Sequence, residues 1–514
     1  MPSPSTRTRS CWTIAVATCG LGAGLVHAGP APGLWADADF AGSVSFGPSD
    51  VALATSYFYW YDIYTGEHFI DPDGSDALTH HPPRRYDYSY RSVAWHKRQM
   101  LDIMAAGIDV ILPVYWGSPA NVCPWSDAGL PPLVQAQQEL IAEGKRPPQI
   151  GMFYDTSTLA YGPSEPMDLT TDAGREWFYA TFREFWRRIP PHLWAMIDGK
   201  PIVYLYGANC AKAYDQTCID YVRRGFARDF AGRTPYIVRE VSWQVETESE
   251  YAWGGCFGPI VLATAAIGPG YDQSAVQGRQ PLALDREGGA RYERGWRQLL
   301  SLSPRRRPKL VHIETWNELH EATEVCETVE CGRRYIEMTR RFGDLYRAGV
   351  QLIPPGPYHG RGAVACDLGA GWDRGLRHRA DAADGPTATA ARSGAPCRVM
   401  SAGPYGPGHY AYFDVDDSLA FDPLDGEFVV RVVYFDEGPG AIGLEYDSTD
   451  PTGSVRDGAF KSAGSVPLRS TGQWVAAEFR LPDARMANRT NGGDFRIVAG
   501  AGKLAIRAVR VSRP

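Results

Sequence analysis

The feature that most constrains the fold is an alternation, between residues 50 and 350, of short apolar segments with amphipathic or linking segments. Continuously apolar strands that alternate with helices are typical of a parallel sheet covered on both faces. Eight such repeats predict an α/β fold of the (β/α)8 TIM barrel type. A doubly wound open sheet is the alternative, but no Gly-rich phosphate loop follows the first strand. The predicted strands are residues 54–61, 108–116, 149–154, 201–206, 236–243, 251–256, 259–267 and 310–316.

The remainder of the chain follows a different pattern. Residues 351–400 are rich in Pro, Gly, Ala and Arg with little periodicity, and we interpret them as a linker. From residue 401 to 514, short alternating segments are separated by turn residues, which predicts an all-β sandwich domain. An exposed aromatic residue there would suit carbohydrate binding, and an acidic set would suit calcium. Core packing and solvated turns are the alternatives. The acidic set is Asp414, Asp416, Asp417 and Asp422.

The N-terminus has the pattern of an export signal. In residues 1–28, Arg7 and Arg9 precede an apolar segment that ends in small residues, which predicts a signal peptide and a secreted, periplasmic or extracellular protein. No second apolar segment is long enough to span a membrane. The eight cysteines that follow predict disulfides in such a compartment, and none has zinc-ribbon spacing, so no metal is predicted. The predicted pairs are Cys210–Cys218, Cys326–Cys331, Cys366–Cys397 and, by elimination, Cys123–Cys256.

Charge and aromatic content limit the class of partner. The formal net charge of -7 is mild for 514 residues and argues against a nucleic-acid-binding protein. The basic cluster at residues 305–307 is flanked by prolines and is interpreted as a solvated loop. Aromatic residues make up 12% of the chain, with 15 Trp and 27 Tyr, which suits a protein that stacks flat side chains against a ligand.

Two glutamates follow the last predicted strand. Glu318 and Glu321 lie three residues apart, so in a first helical turn both side chains would face the same pocket at the C-terminal end of the strand. Acid/base cleavage of a glycosidic bond needs two carboxyl groups, one on each side of the bond. The alternative is a pair of solvated glutamates that open a surface helix. We therefore treat Glu318 and Glu321 as candidate catalytic residues.

The other strand ends add candidate ligand contacts. Nearly every end places an aromatic residue beside a carboxylate or an amide, a combination that suits the faces and hydroxyls of a sugar, although aromatic residues also favour strands in general. His80 and His81 form either a metal pair or, by default, a surface loop. The candidate substrate-binding residues are Trp60, Tyr61, Asp62, Tyr115, Trp116, Tyr154, Asp155, Glu240, Trp243, Trp253, Tyr271, Asp272, Trp316, Asn317 and His320.

The carboxylate segment also carries a family resemblance. Residues 315–323, Thr-Trp-Asn-Glu-Leu-His-Glu-Ala-Thr, resemble the Asn-Glu-Trp-His-Glu-Gly-Thr signature of glycoside hydrolase family 99, the endo-α-mannosidase and endo-α-mannanase barrels. Residues 59–62, 268–272 and 286–296 resemble other parts of these enzymes more loosely. The chain also resembles a branch of the same clan with a C-terminal β-domain. Leu319 and Ala322 depart from the signature, which places α-mannoside specificity, rather than glycoside cleavage, in question.

The resemblance implies a role for each glutamate. Glu318 would match the base that removes a proton from a mannose 2-hydroxyl, so that the sugar's own oxygen attacks the anomeric carbon. Glu321 would match the acid that protonates the leaving oxygen and later activates water, with retention of configuration. The predicted function is a secreted glycoside hydrolase that acts on a polysaccharide or glycan. A non-catalytic carbohydrate-binding protein, secreted or at the cell surface, is the alternative from another class.

Overall fold

The computed structural model of the protein describes residues 34–121, 123–161, 163–380, 382, 384–401, 409–452, 458–500 and 503–514. The predicted signal peptide at residues 1–28 lies outside these ranges and stays a prediction. Within them, an α/β part that ends with a helix at Arg347 is followed by an all-β part that begins at Ala363.

Eight parallel strands form the sheet of the α/β part, and each predicted strand overlaps one of them. The first strand pairs with the second on one side and with the last on the other, where Ala52 lies opposite Leu310. The sixth and seventh strands do not pair through their backbones in the described structure, but Ser249 Oγ and Thr264 Oγ1 lie 2.9 Å apart. The sheet is therefore a nearly closed barrel. Its strands are β1 (Ala52–Tyr57), β2 (Val110–Tyr115), β3 (Met152–Tyr154), β4 (Lys200–Leu205), β5 (Tyr236–Glu240), β6 (Ser249–Tyr251), β7 (Thr264–Ile267) and β8 (Leu310–Ile313).

Six helices of 12 to 15 residues accompany the barrel. The sequence sets their ends locally: the first helix begins after Ser92, whose hydroxyl accepts a hydrogen bond from Trp95 N, and ends at Gly107 with a left-handed φ of 72°. None of the described helices is both long and apolar enough to cross a membrane. The six are α1 (Val93–Ala106), α2 (Leu130–Ala142), α3 (Asp172–Trp186), α4 (Gln216–Asp229), α5 (Ala290–Ser301) and α6 (Arg334–Arg347).

The alternation of strand and helix is incomplete. Among the described residues, no helix of this length lies between β5 and β6 or between β6 and β7. The regular repeat of a TIM barrel is therefore not established, although the nearly closed parallel barrel is. The shorter elements are the helices Pro124–Ala128 and Thr158–Tyr161, the 3-10 turns Asp37–Phe40, Pro191–Leu193, Ala208–Cys210, Gly255–Phe257 and Glu287–Gly289, and the strands Gln149–Ile150, Met196–Ile197, Ile260–Val261, Tyr271–Asp272 and Ala283–Leu284.

Burial explains the apolar segments. Every residue of β1, β2 and β8 is buried, because the barrel interior covers one face of each strand and the helices cover the other. A side chain of β3 illustrates the outer layer: Tyr154 packs against Phe178 and Phe182 of α3, with ring centroids 5.6 and 5.7 Å apart.

The all-β part consists of two antiparallel sheets around a shared apolar core. The prediction that residues 351–400 form a linker is wrong from Ala363 onwards, because five strands up to Met400 join these sheets. Small residues alternate between inward and outward faces there, as in Ala363–Asp367. Backbone pairing with the last strand of the chain stabilises this segment as a strand. The strands are β9 (Ala363–Asp367), β10 (Trp372–Arg374), β11 (Leu376–Arg379), β12 (Thr387–Arg392), β13 (Ala395–Met400), β14 (Tyr410–Val415), β15 (Phe428–Phe435), β16 (Ala441–Tyr446), β17 (Lys461–Pro467), β18 (Trp474–Leu481), β19 (Phe495–Ala499) and β20 (Ala505–Ser512).

The predicted disulfides do not form in this structure. None of the eight cysteines of the described residues forms a disulfide, and these include Cys123, Cys210, Cys256, Cys326 and Cys331. Spacing along the chain does not bring two Cβ atoms within the roughly 4 Å that a disulfide needs. Instead, Cys218 faces the interior from α4, while Cys366 and Cys397 lie opposite Val509 and Ala390 in their sheet.

A buried aspartate joins the two parts of the chain. Asp422 is fully buried and accepts hydrogen bonds from Ser303 N at 2.6 Å and from Arg306 Nε at 2.7 Å in the α/β part, and from Arg485 Nε at 3.0 Å in the β-part. The expectation that residues 305–307 form a solvated loop is therefore wrong, because Arg306 serves this contact and Arg307 is buried against Tyr346.

Candidate active site

The segment after β8 is a hydrogen-bonded turn rather than the first turn of a helix. Thr315 Oγ1 accepts a hydrogen bond from Glu318 N at 2.9 Å. The Tyr61 hydroxyl donates to Asn317 O at 3.1 Å and accepts from Leu319 N at 3.0 Å. The turn therefore rests on the residues that follow β1, and it fixes both candidate carboxylates at the C-terminal end of the barrel.

Glu318 forms a pair with His320. Glu318 Oε1 accepts a hydrogen bond from His320 N at 3.0 Å and lies 2.8 Å from His320 Nδ1. His320 Nε2 donates to the His68 carbonyl oxygen at 3.0 Å, so this nitrogen carries a proton. Burial lowers the pKa of His320. The Glu318 carboxylate and the His68 carbonyl raise this pKa by more than burial lowers it, so the net pKa lies above its usual value. This arrangement therefore favours the charged form of His320 beside Glu318.

Glu321 has a different partner. Its Oε1 lies 2.5 Å from Arg279 Nη1, and the same guanidinium nitrogen donates to Gln273 Oε1 at 3.1 Å and to the Tyr271 hydroxyl at 3.2 Å. Burial and then the Glu318 carboxylate raise the pKa of Glu321, while Arg279 lowers it, and the net pKa is raised. The effect of Glu318 on the pKa of Glu321 indicates that the two carboxyl groups lie near each other.

A third carboxyl group, which the sequence interpretation missed, lies beneath this pair. Glu314 directly follows β8, is fully buried, and accepts a hydrogen bond from Gly254 N at 2.9 Å through Oε2. Its Oε1 and the Nδ1 atom of the buried His312 are 3.9 Å apart, and each lacks a protein partner. Burial raises the pKa of Glu314 to about 8, so this group is a neutral acid at pH 7. Its position as the first residue after an apolar strand was the available signal.

The carboxyl groups converge on Tyr206, at the end of β4. Burial, followed by the carboxylates of Asp155, Glu321 and Glu314, raises the pKa of the Tyr206 hydroxyl. Asp155, at the end of β3, accepts hydrogen bonds from Ser157 N at 3.0 Å and Ser157 Oγ at 2.6 Å, and burial raises its pKa to about 6. Three strand ends, those of β3, β4 and β8, thus place acidic or phenolic groups near one another, as expected for the C-terminal face of a parallel barrel.

Aromatic rings surround this point. The Trp60 ring stacks on the His68 ring at 4.4 Å and lies 5.5 Å from His320 and 6.0 Å from Trp116. Trp253, which is only partly buried, lies 5.6 Å from Tyr206 and 5.9 Å from His312. Trp60, Trp116 and Trp253 are therefore the predicted tryptophans that the structure brings to the site.

Two further predicted residues contact the acid segment. Asp272 N donates to Glu321 O at 2.8 Å, and the Asp272 carboxylate accepts from Ser274 N at 2.8 Å. Tyr271 contacts Arg279, as described above, and its hydroxyl donates to Gln273 Oε1 at 2.6 Å. Both residues hold the short ribbon that carries Arg279, a residue for which the sequence offered no signal.

Several predicted contacts are corrected to structural roles, since their side chains point away from the site. Tyr115 donates to Asp127 at 2.7 Å, Trp243 donates to Tyr206 O at 2.6 Å, and Trp316 donates to Gln99 at 2.7 Å. Their rings are fully buried, so they stabilise the barrel instead of lining a cleft. Four other predicted residues also have structural partners: Tyr154 on the α3 side, Asn317 bonded to the Phe58 backbone, Asp62 in its own buried turn, and Glu240 bonded to Ser242. Tyr61 is buried too, but its ring stacks on His320 at 5.5 Å and so contacts the site.

One group of side chains in the described residues has metal-ligand chemistry. Potential ligand atoms of His80, Glu324 and Cys331 lie within 4.8 Å of one another. However, Glu324 Oε1 is already 2.8 Å from both His80 Nδ1 and Arg286 Nη2. A fixed guanidinium at this distance opposes a divalent cation, so we interpret the group as a buried ion-pair network. His81, by contrast, pairs with the half-exposed Glu330 at the surface.

The acidic set of the β-part is dispersed. Asp414 pairs with Arg377, Asp416 accepts from Ser418, Asp417 accepts from Asn488, and Asp422 binds two arginines. This geometry does not gather them into a calcium site. Two surface cavities of about 420 and 480 Å³ lie away from the carboxyl groups, one on the β-part around Thr449 and Asp483 and one at the N-terminal ends of the barrel strands around Asp109.

The comparisons with known proteins give a family and weak structural likenesses. Residues 38–352, more than half of the chain, match a family described as a domain of unknown function, DUF5010. No curated protein matches the sequence. Two solved structures of a GH99 endo-alpha-mannosidase from Bacteroides thetaiotaomicron are similar to 58% of this chain and 97% or 98% of theirs, at 13% identity and a TM-score of 0.42. The CBM22-1 xylan-binding domain of Paenibacillus barcinonensis Xyn10C is similar to 31% of this chain and 99% of its own, at 9% identity and a TM-score of 0.20. These scores are too low to carry an argument about activity.

Proposed function

Since the chain belongs to the DUF5010 family, whose description assigns no function, we propose an activity from the site itself: a glycoside hydrolase that cleaves a polysaccharide or glycan with two glutamates. The observation that carries the proposal is the pair Glu318 and Glu321, which are buried at one end of the barrel and have different partners, with Glu318 raising the pKa of Glu321. Glycosidic cleavage needs one carboxyl group that is ionised and one that is protonated, and such a difference in environment sets the two roles.

The proposed roles follow from these environments. Glu318, held by the His320 imidazolium, acts as the base, since an ionised carboxylate can accept a proton. Glu321, whose pKa is raised, acts as the acid that gives its proton to the leaving oxygen. Trp253 provides the partly exposed ring against which a sugar face can stack.

The finer form of the proposal uses the family 99 resemblance of residues 315–323. Glu318 removes the proton of the sugar 2-hydroxyl, the 2-oxygen bonds to the anomeric carbon, and the bond to the leaving oxygen breaks as Glu321 protonates it. Water then attacks the anomeric carbon and its bond to the 2-oxygen breaks, while Glu321 takes a proton from the water and Glu318 returns a proton to the 2-oxygen. α-Mannosides are the proposed substrates, a (β/α)8 barrel is the proposed fold type, and the export signal would place the enzyme outside the cytoplasm.

A panel of polysaccharides tests the proposal through release of reducing ends. Glu318→Gln and Glu321→Gln should each abolish release while the binding of the cleaved polysaccharide persists. Glu327→Gln is the matched control, because Glu327 belongs to the same segment but pairs with the half-exposed Arg333. Wild-type protein that cleaves a substrate equally well after either active-site substitution would refute the assignment. The anomeric configuration of the first product, read by proton NMR, tests retention.

A non-catalytic carbohydrate-binding protein is the second candidate. The observation in its favour is that both carboxylates are already paired, Glu318 with His320 and Glu321 with Arg279. In that case the wild-type protein binds members of the panel without releasing reducing ends, and both glutamine variants retain the same affinity.

A further inference from the structure

A short turn between β6 and β7 presents an aromatic ring to solvent. The turn is the 3-10 segment Gly255–Phe257, in which Gly255 and Cys256 are buried and Phe257 is 48% exposed. Single exposed apolar side chains are common on protein surfaces, so exposure alone does not indicate a ligand. The surroundings of the ring decide its role.

The backbone of this turn is firmly anchored to the ends of two barrel strands. Gly254 N donates a hydrogen bond to Glu314 Oε2 at 2.9 Å, and Gly268 N donates to Gly255 O at 2.9 Å. Gly254 has a φ of 118°, and a Cβ atom on Gly255 would lie 2.5 Å from Ile267 N, so both positions require glycine. The aromatic residue at the tip is therefore held in a defined place at the C-terminal face of the barrel.

That place is beside the proposed acid. The ring centroids of Phe257 and Tyr271 are 4.9 Å apart, and the next residue, Asp272, donates its backbone N–H to Glu321 O at 2.8 Å. Burial and then nearby carboxylates, one of them Glu321, raise the pKa of the Cys256 thiol, which agrees with this proximity. The exposed ring thus lies on the side of the site where Glu321 is held.

The position of an acid catalyst fixes the position of the leaving group. The acid gives its proton to the oxygen that departs with the leaving sugar, so this sugar has to lie next to Glu321. Trp253, which comes four residues before Phe257, has its ring 5.6 Å from Tyr206 and 5.9 Å from His312 instead. The two rings of this segment therefore have different neighbours and offer two separate surfaces to a sugar chain.

We propose that Phe257 stacks against the sugar on the leaving-group side of the bond that Glu321 protonates. This inference rests on the proposed function and assigns to its site a surface for the leaving group. The face of an aromatic ring suits the C–H face of a pyranose, so Phe257 favours leaving groups that are sugars. Phe257 is then a specificity-determining residue that takes no part in proton transfer.

The test compares substrates that differ in the leaving group. Linear α-1,2- and α-1,6-linked mannotetraoses release a sugar, whereas α-mannosyl and α-mannobiosyl fluoride release only a fluoride ion. The kcat/KM on each is measured for the full chain as wild type, Phe257→Ala, Phe257→Trp and the control Tyr86→Ala. Tyr86 is a suitable control because it is an exposed aromatic residue in the connection between β1 and α1.

We expect Phe257→Ala to lower kcat/KM on the cleaved mannotetraose about tenfold, the loss of one stacked ring. Its kcat/KM on the cleaved fluoride should stay within about twofold of the wild type, because fluoride does not reach the ring. Phe257→Trp should retain the activity on mannotetraose, and Tyr86→Ala should match the wild type on both substrates. An unchanged kcat/KM of Phe257→Ala on mannotetraose, or an equal loss on both substrates, would overturn the inference.

The proposed function and this inference fail separately. Cleavage of mannotetraose that does not depend on Phe257 leaves the hydrolase in place and refutes the role of the ring. A wild type that cleaves neither substrate refutes the hydrolysis of α-mannosides, and calorimetry with the mannotetraoses then tests the ring. Binding that weakens about tenfold in Phe257→Ala retains the stacking surface, whereas unchanged affinity, or no binding, refutes it as well.

Discussion

The Glu314→Gln substitution is expected to change the pH dependence of stability in a defined direction. The pKa of Glu314 is raised from 4.5 to about 8 in the folded protein, mainly because the side chain is fully buried. Between these two values the folded state holds a proton that the unfolded chain has released. The free energy of unfolding therefore falls as pH rises through this window, and the contribution of Glu314 is fully present only below pH 4.5.

The size of this effect follows from linkage. Each pH unit inside the window removes about 1.4 kcal/mol, so the interval from pH 5 to 7.5 should cost the wild type roughly 3 kcal/mol through this one group. Glutamine has nearly the same shape, can still accept the Gly254 N–H hydrogen bond, and stays neutral at every pH. Glu314→Gln should thus be little different from the wild type at pH 5 and more stable than it at pH 7.5.

Urea unfolding followed by tryptophan fluorescence measures this, since most tryptophans belong to the α/β part. The quantity to compare is the free energy of unfolding of the wild type minus that of Glu314→Gln. Groups such as His96 and Asp155, with pKa values of about 3 and about 6, titrate in both proteins, so their contributions cancel in this difference. Glu293→Gln, at an exposed pair with Arg297, is the control. Its difference from the wild type in free energy of unfolding should change by less than about 0.5 kcal/mol between pH 5 and 7.5. A wild type minus Glu314→Gln difference that is constant between pH 5 and 7.5 would refute the reasoning.

Three further substitutions test other parts of the structure. Asp422→Asn should lower the free energy of unfolding by roughly 3 kcal/mol because the partly buried Arg306 and Arg485 lose their buried counter-charge. Asp414→Asn, at an exposed pair with Arg377, should cost less than about 1 kcal/mol; equal losses in chemical denaturation would contradict this. Trp253→Ala should weaken the binding of the cleaved glycan about two- to tenfold, and unchanged affinity in calorimetry would argue against stacking. His320→Asn should remove the alkaline limb of the pH–rate profile, because the imidazolium loses its proton as pH rises through its raised pKa; an unaltered limb would exclude this role.

The sequence was sufficient for the elements whose signals are local. Apolar strands and capped helices, such as α1 with Ser92 before it and Gly107 after it, depend on neighbours along the chain. The strands between Ala363 and Met400 were missed because small residues give a weak pattern and the order comes from pairing with β20, more than 100 residues away. The eight parallel strands could thus be anticipated, while closure of the barrel depends on contacts that no local pattern specifies.

In the candidate site, too, the sequence predicted the residues that lie close together along the chain and missed those that come from distant segments. Glu318, His320 and Glu321 lie within one turn, so their proximity was readable from spacing alone. The strand-end aromatic residues were over-assigned, because adjacent residues of a strand face opposite sides: Tyr154 packs on α3, whereas its neighbour Phe153 faces Trp253 in the barrel. Arg279 reaches Glu321 across 42 residues of chain, a separation over which sequence patterns carry no geometric information.

The two candidate carboxyl groups have different kinds of partner: Glu318 pairs with a histidine and Glu321 with an arginine. Such a difference in environment is what allows two carboxyl groups to take different roles. The pKa of His320 lies above its usual value, so the charge of its pair with Glu318 changes with pH. Glu321 pairs instead with Arg279, whose Nη1 atom lies 2.5 Å from Glu321 Oε1.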